Sequence, residues 1–197
     1  MYLFQSVIEN IMHKFPSYRR KKEKRYIRSV LAQKRRTLSK EEVEICSAEV
    51  VAQIADSRVF KEAQTVMLYY PVHNEIDLRG LIQLAPNKHY LLPVTHRKSI
   101  EVREYTSEEN MRKGKLGIPE PQSPTYKGKI DLIIIPGVGF DKKLVRLGRG
   151  GGYYDRFLTG FRNSTKMGVA YRCQLVDNIP SDRHDQKMDI VISSKTK

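Results

Sequence analysis

The chain has 197 residues, 40% of them hydrophobic, and a formal net charge of +14. That hydrophobic share supports a buried core and is too high for a disordered chain, and no run approaches the ~20 consecutive apolar residues of a membrane-spanning helix. Cys46 and Cys173 lie far apart with no Cys-x-x-Cys, so neither a disulfide framework nor a zinc site is expected.

The first residues have no positive leader and no small-residue cleavage site, which argues against a secretory signal, and the two isolated thiols fit a reducing cytoplasm. Residues 2–13 read either as a short amphipathic helix carrying Leu3, Val7, Ile8 and Ile11, broken by Pro16, or as a poorly ordered extension. Residues 1–40 hold 12 Lys or Arg against Glu9 and Glu23, so +10 of the net charge sits at this end. A nucleic-acid-binding segment, a solvated basic helix and a surface attracting an anionic small molecule all fit that excess. Tyr18 and Tyr26 are too few for a stacking platform, and no nucleic-acid partner is expected.

From Lys24 to Arg36, Ile27, Val30 and Leu31 recur at helical spacing. Ser39-Lys-Glu-Glu42 reads as a capping box opening a second helix, with Val43, Cys46, Val50 and Ile54 as its buried stripe. Strands are expected over Thr65–Tyr70, ended by Pro71, over Tyr90–Leu92 before Pro93, and over Ser99–Tyr105, with a helix at Ile76–Leu84. Asp131-Leu-Ile-Ile-Ile135 is a continuous apolar run of the kind buried on both faces of a parallel sheet. A helix over Gly152–Phe161 and strands over Lys166–Tyr171 and Asp189–Ile192 complete the pattern. Alternating strands and helices predict an α/β fold with a mostly parallel central sheet flanked by helices in three layers, α/β/α.

The segment richest in chemistry is Pro136-Gly-Val-Gly-Phe-Asp141 followed by Arg146-Leu-Gly-Arg-Gly-Gly-Gly-Tyr-Tyr-Asp155. It follows the apolar strand, and in open α/β sheets ligands bind beyond the carboxyl ends of strands. Its glycines let backbone amides approach a phosphate, and the next helix offers its positive end. Arg146 and Arg149 add forked cations suited to phosphate oxygens, and Asp155 is placed to hold a phosphate-bound magnesium. No Gly-x-x-x-x-Gly-Lys-Ser/Thr occurs, and Tyr153 stands where a dinucleotide fingerprint needs its third glycine. A flexible glycine-rich turn is the plain alternative.

Gly148-Arg-Gly-Gly-Gly-Tyr-Tyr-Asp155, preceded by Pro136-Gly-Val-Gly-Phe-Asp141, resembles the signature of the 5-formyltetrahydrofolate cyclo-ligase family. Lys24-Arg-Tyr-Ile-Arg28 resembles the family's basic helix, Tyr69-Tyr-Pro-Val-His-Asn-Glu75 its substrate-side loop and Gly117-Ile-Pro-Glu-Pro121 its Gly-x-x-Glu-Pro turn. Gly168-Val-Ala-Tyr171, Gln174 and the run from Ile179 to Asp189 resemble its C-terminal part. Some members carry lysine where this chain has Gly151, and residues 1–22 extend beyond the family's usual start; residues 23–197 form the expected single domain.

The resemblance implies cyclisation of 5-formyltetrahydrofolate to 5,10-methenyltetrahydrofolate with ATP as co-substrate and Mg2+ as cofactor; a monomeric cytoplasmic protein without membrane or nucleic-acid partners is expected. It implies ATP contacts at Lys24, Arg28, Arg146, Gly148, Arg149, Gly150, Gly151, Gly152, Tyr154 and Asp155, with Arg149 and Tyr153 catalytic. It further implies folate contacts at Glu75 and Tyr153, and metal-associated carboxylates at Asp155 and Asp189. His184 resembles one half of a family His-Asp pair and reads here as part of a structural turn, while Cys46 reads as core.

Overall fold

Among the described residues the first helix is α1 (Pro16–Arg36), and proline, which has no N–H to donate, is tolerated in a first helical turn. The computed structural model describes residues 16–96, 99–114 and 117–196, so a helix over 2–13 lies outside the described residues. The helix starts earlier than the apolar spacing suggests and runs unbroken through the expected boundary at 22/23. In α2 (Lys40–Asp56) the Ser39 side chain accepts from the Glu42 amide and Glu42 reaches back to the Ser39 amide, completing the predicted box. Cys46, Val50 and Ile54 are buried along it, while Val43 packs at the edge. Ser57 closes α2 and caps α3 (Arg58–Glu62).

The chain then enters β1 (Thr65–Met67), shorter than the predicted strand, and reaches α4 (Gly80–Leu84). Ile76 and Leu78 are buried but not helical. The Ser47 hydroxyl accepts from the Asp77 amide and the Asp77 carboxylate accepts from the Arg79 amide, which holds this stretch out of the helix. Next, β2 (His89–His96) crosses Pro93. The Tyr90 carbonyl faces the following strand and the Leu91 carbonyl accepts from Leu68, so Pro93, two residues on, turns its nitrogen toward a side that β1 has already left.

The remaining strands are β3 (Ser99–Glu104), β4 (Met111–Lys113), β5 (Pro119–Pro121), β6 (Leu132–Pro136), β7 (Gly139–Asp141) and β8 (Arg146–Leu147). After α5 (Tyr153–Leu158) come β9 (Thr165–Ala170), β10 (Leu175–Val176) and β11 (Ile190–Ser193). The main sheet has the order β11-β9-β6-β1-β2-β3, parallel throughout except for β3. In β6 the side chains divide by parity. Leu132 and Ile134 join Val50, Ile54, Phe60 and Leu81 on the face covered by α2, α3 and α4. Ile133 and Ile135 join Met67, Phe140, Leu158 and Ala170 on the other. There the outer layer combines α5 with a small sheet of order β10-β7-β8.

Successive strands depart in opposite directions from the middle: β1 leads outward to β2, whereas β6 leads to β9 and β11. The gap beyond the carboxyl ends of β1 and β6 is therefore a topological switch point, where an open sheet leaves a crevice for ligand.

Candidate active site

A cleft of about 600 Å³ occupies that switch point. Pro136 and Gly137 from the end of β6, Tyr69 and Tyr70 beyond β1, the glycine loop, α1 and the β2, β3 and β5 region form its walls.

The basic helix reaches the cleft because three of its cations face inward. Lys24, Leu31 and Arg35 are buried, and Arg28, half-buried, lies on the same stripe. Leu31 packs against Gly139, where an added Cβ would strike its side chain, and Ile27 joins Val145, Leu147 and Ile179. This apolar contact presses α1 onto the β7–β8 hairpin. It brings the Arg28 Nε within 2.8 Å of the Gly148 carbonyl oxygen.

Lys24 is only 7% exposed, and a cation so placed needs counter-charge. Its Nζ donates to Asp185 Oδ2 at 2.6 Å and to Asp182 Oδ2 at 2.9 Å. Burial alone would lower the ammonium pKa, but bonds to Asp185 and Asp182 outweigh it and the net shift is upward. Arg20 Nε donates to Asp182 Oδ1 at 2.8 Å, so the turn carrying both acids grips α1 at two levels.

The hairpin that carries the loop is organised by Asp141, a buried carboxylate. Its Oδ1 accepts from the amides of Lys143 (2.8 Å) and Val145 (2.9 Å), and its Oδ2 from that of Ile179 (2.9 Å). Arg146 follows directly. Its Nη2 lies 3.3 Å from both Asp155 oxygens, its Nη1 donates to the Pro136 carbonyl, and its guanidinium sits over the Tyr154 ring. Tyr154 also packs on the core under α5, and burial raises its hydroxyl pKa, so it stays neutral. Gly150 and Gly152 have φ of 104° and 66°, which shape the loop and start α5 from a left-handed residue.

Glu75 faces the loop from the opposite wall. Its Oε1 accepts from Arg149 Nη2 at 2.6 Å, and its Oε2 from the Val72 amide at 3.2 Å. Behind it, the buried Arg35 places Nη1 3.8 Å from the same Oε1. The cleft is also lined by the apolar Pro93, Ile100 and Ile118, with Thr95 and Glu120 as polar points.

Lys24, Arg28, Glu75, Arg146, Gly148, Arg149, Gly150, Gly151, Gly152, Tyr153, Tyr154 and Asp155 thus converge on one cleft. Asp189 does not. It lies at the start of β11, the opposite end of the sheet from the cleft, and its Oδ2 accepts from the Lys166 amide at 2.7 Å. The parallel register β9–β11 forces this, because residues preceding a parallel strand lie at its amino end. Of the two expected metal-associated carboxylates, Asp155 lines the cleft and Asp189 does not. One carboxylate fits a magnesium ion that also takes phosphate oxygens. Among the described residues no group of three or more His, Cys, Asp or Glu is assembled as a metal site.

The sequence reading missed Lys21 and Arg25, which line the rim, and the role of Asp182 and Asp185. The spacing 21, 24, 25, 28 already places the two cations beside Lys24 and Arg28 on one helix flank. No local signal links Asp182 or Asp185 to α1. His184, in the turn between them, does not line the cleft. Among the described residues no helix is long and apolar enough to cross a membrane.

The family model described as "5-formyltetrahydrofolate cyclo-ligase family" matches residues 20–194. A 5-formyltetrahydrofolate cyclo-ligase of Haemophilus influenzae is 35% identical over 67% of this chain and 77% of its own. A probable 5-formyltetrahydrofolate cyclo-ligase of Caenorhabditis elegans is 31% identical over 84% and 92%. Among solved structures, the Aquifex aeolicus 5,10-methenyltetrahydrofolate synthetase superposes with a TM-score of 0.79 at 33% identity, covering 88% of this chain and 90% of that one. The switch-point cleft, its glycine loop and these matches lead to one conclusion: the chain belongs to the 5-formyltetrahydrofolate cyclo-ligase family.

Proposed function

We propose that the chain converts 5-formyltetrahydrofolate and ATP to 5,10-methenyltetrahydrofolate, ADP and phosphate. The observation that carries this reading is the convergence, in one cleft, of a cation-rich glycine loop with apolar side chains and Glu75. The first half suits a triphosphate, and the second suits a flat heterocycle with N–H donors.

In this reading the formyl oxygen of the folate attacks the γ-phosphorus and ADP leaves, giving an iminium phosphate. Folate N10 then attacks the activated carbon and the ring closes; N10 gives up its proton to the phosphate, which departs with the former formyl oxygen. A formamide oxygen is a poor leaving group, and phosphorylation removes that difficulty. The protein contributes alignment and charge, with no covalent nucleophile of its own. Lys24, Arg28 and Arg146, clamped by their own partners, form a fixed cationic wall for the phosphates. Arg149, whose side chain is 52% exposed, is the mobile cation that follows the transferring group. Tyr153 flanks the folate, and Tyr154 backs Arg146 from the core side. Asp155 would hold magnesium on the phosphates, and that ion would supply added neutralisation of the leaving group.

We take the catalytic unit to be a single domain reaching back along α1 to Arg20, and working as a monomer. A cytoplasmic site of action accords with two free thiols, Cys46 and Cys173. The test mixes purified protein with 5-formyltetrahydrofolate, magnesium and ATP and follows the near-ultraviolet absorbance of the methenyl product. A rise that requires both protein and ATP is expected. Folded protein giving no rise, or a rise indifferent to ATP, would overturn the proposal.

A further inference from the structure

Two arginines reach the same oxygen of Glu75, from opposite sides and in opposite circumstances. Arg149 comes from the glycine loop with its side chain half in solvent, at 2.6 Å. Arg35 comes from the last turn of α1 with its side chain 10% exposed, at 3.8 Å, and its Nε has no hydrogen-bond partner. Among the described residues, the carboxylate within ion-pair distance of Arg35 is Glu75. A buried guanidinium cannot lose its counter-ion without a large desolvation cost, whereas an exposed one is readily taken over by water or by another anion. Arg35 and Glu75 are thus the permanent pair, and Arg149 is the exchangeable member.

We propose that Arg35 is a positioning residue. It anchors the Glu75 carboxylate at the cleft wall, so that Arg149 can leave Glu75 for a phosphate without stranding a buried charge. The inference rests on the nucleotide and folate sharing this cleft. It adds that Glu75, assigned to the folate, and Arg149, assigned to the phosphates, hold each other until the ligands arrive. Each ligand competes with a protein group for its own contact. A nucleotide that draws Arg149 away also exposes the face of Glu75 that the folate uses. Binding of the two substrates is then mutually favourable, and by linkage each raises affinity for the other by the same factor.

The experiment is a titration of wild type, Glu75→Gln, Arg35→Lys and the double variant with a non-hydrolysable ATP analogue. Melting curves accompany each titration so that only folded protein is compared. Glu75→Gln should bind the analogue more tightly than wild type, by roughly three- to thirtyfold, because Arg149 is released. Arg35→Lys keeps the charge but loses the planar fork. It should weaken analogue binding as Glu75 tightens on Arg149, and that loss should vanish when Arg35→Lys is combined with Glu75→Gln. A purely structural Arg35 would produce the same loss in both backgrounds, which would overturn the proposal. So would unchanged or weaker analogue binding by Glu75→Gln. Failure of wild type to bind the analogue at all would remove the nucleotide reading itself, and this inference with it. Should Arg35→Lys not fold, Arg35→Gln combined with Glu75→Gln, which leaves neither charge buried, takes its place: analogue binding equal to that of Glu75→Gln alone is expected, and a further loss would overturn the proposal.

Discussion

Replacing Asp141 by alanine tests whether the motif Pro136-Gly-Val-Gly-Phe-Asp141 acts through architecture. The carboxylate is 5% exposed and accepts three backbone N–H groups, from Lys143, Val145 and Ile179, at 2.8–2.9 Å. Each hydrogen bond to a charged group contributes about 1.5–3 kcal/mol, and donors left buried without acceptors add a penalty of their own. Because the three bonds share one carboxylate and water enters part of the space, the sum is not additive, and ~4 kcal/mol is the expected loss. That is a large part of the ~5–15 kcal/mol that stabilises a domain. With a urea dependence of ~2 kcal/mol per molar, the midpoint should fall by ~2 M. Asp141→Asn should fall between wild type and Asp141→Ala, since its amide oxygen still accepts while its NH2 opposes one donor. Urea unfolding followed by circular dichroism measures both variants. A midpoint for Asp141→Ala equal to wild type would refute the reasoning, as would a loss of turnover with stability unchanged.

Gly150→Ala should cost about 1–3 kcal/mol of loop strain and raise the KM for ATP, because φ is 104° while the new methyl would meet Arg28 only at ordinary contact distance. Steady-state kinetics with an unchanged KM would contradict it. The Asp182 carboxyl is held below its ordinary range, chiefly by its bond to Lys24. It therefore binds a proton less readily folded than unfolded, and its contribution to stability is full above the ordinary carboxylate pKa of about 3.9 and fades as pH falls below it. Asp182→Asn should flatten that part of the acid-unfolding curve, and an unaltered curve would count against the clamp. Asp189→Asn should leave the magnesium dependence of turnover as in wild type, since the residue sits at the far end of the sheet; a shifted metal dependence would return Asp189 to the site.

Much of this protein is written locally. The run Leu132–Ile135 announces a strand buried on both faces, because solvent is absent from either side and no polar alternation is needed. Ser39 and Glu42 announce a helix start, because both bonds of the box lie within four residues. The glycine loop is legible for the same reason: its chemistry is contiguous from Arg146 to Asp155. Local signals misjudged Ile76–Leu84, where Ser47, 30 residues away, holds the Asp77 amide, and Pro93, whose tolerance depends on where β1 ends. They were equally silent on which cations of α1 turn inward. That choice was made by Leu31 and Ile27 packing on the hairpin, and it was completed by Asp182 and Asp185, separated from Lys24 by 158 and 161 residues. Composition and periodicity determined that a basic helix and a phosphate-suited loop exist. Only tertiary structure decided which charge meets which, since ion pairing in a buried cleft depends on distances of a few ångströms between residues that share no local sequence.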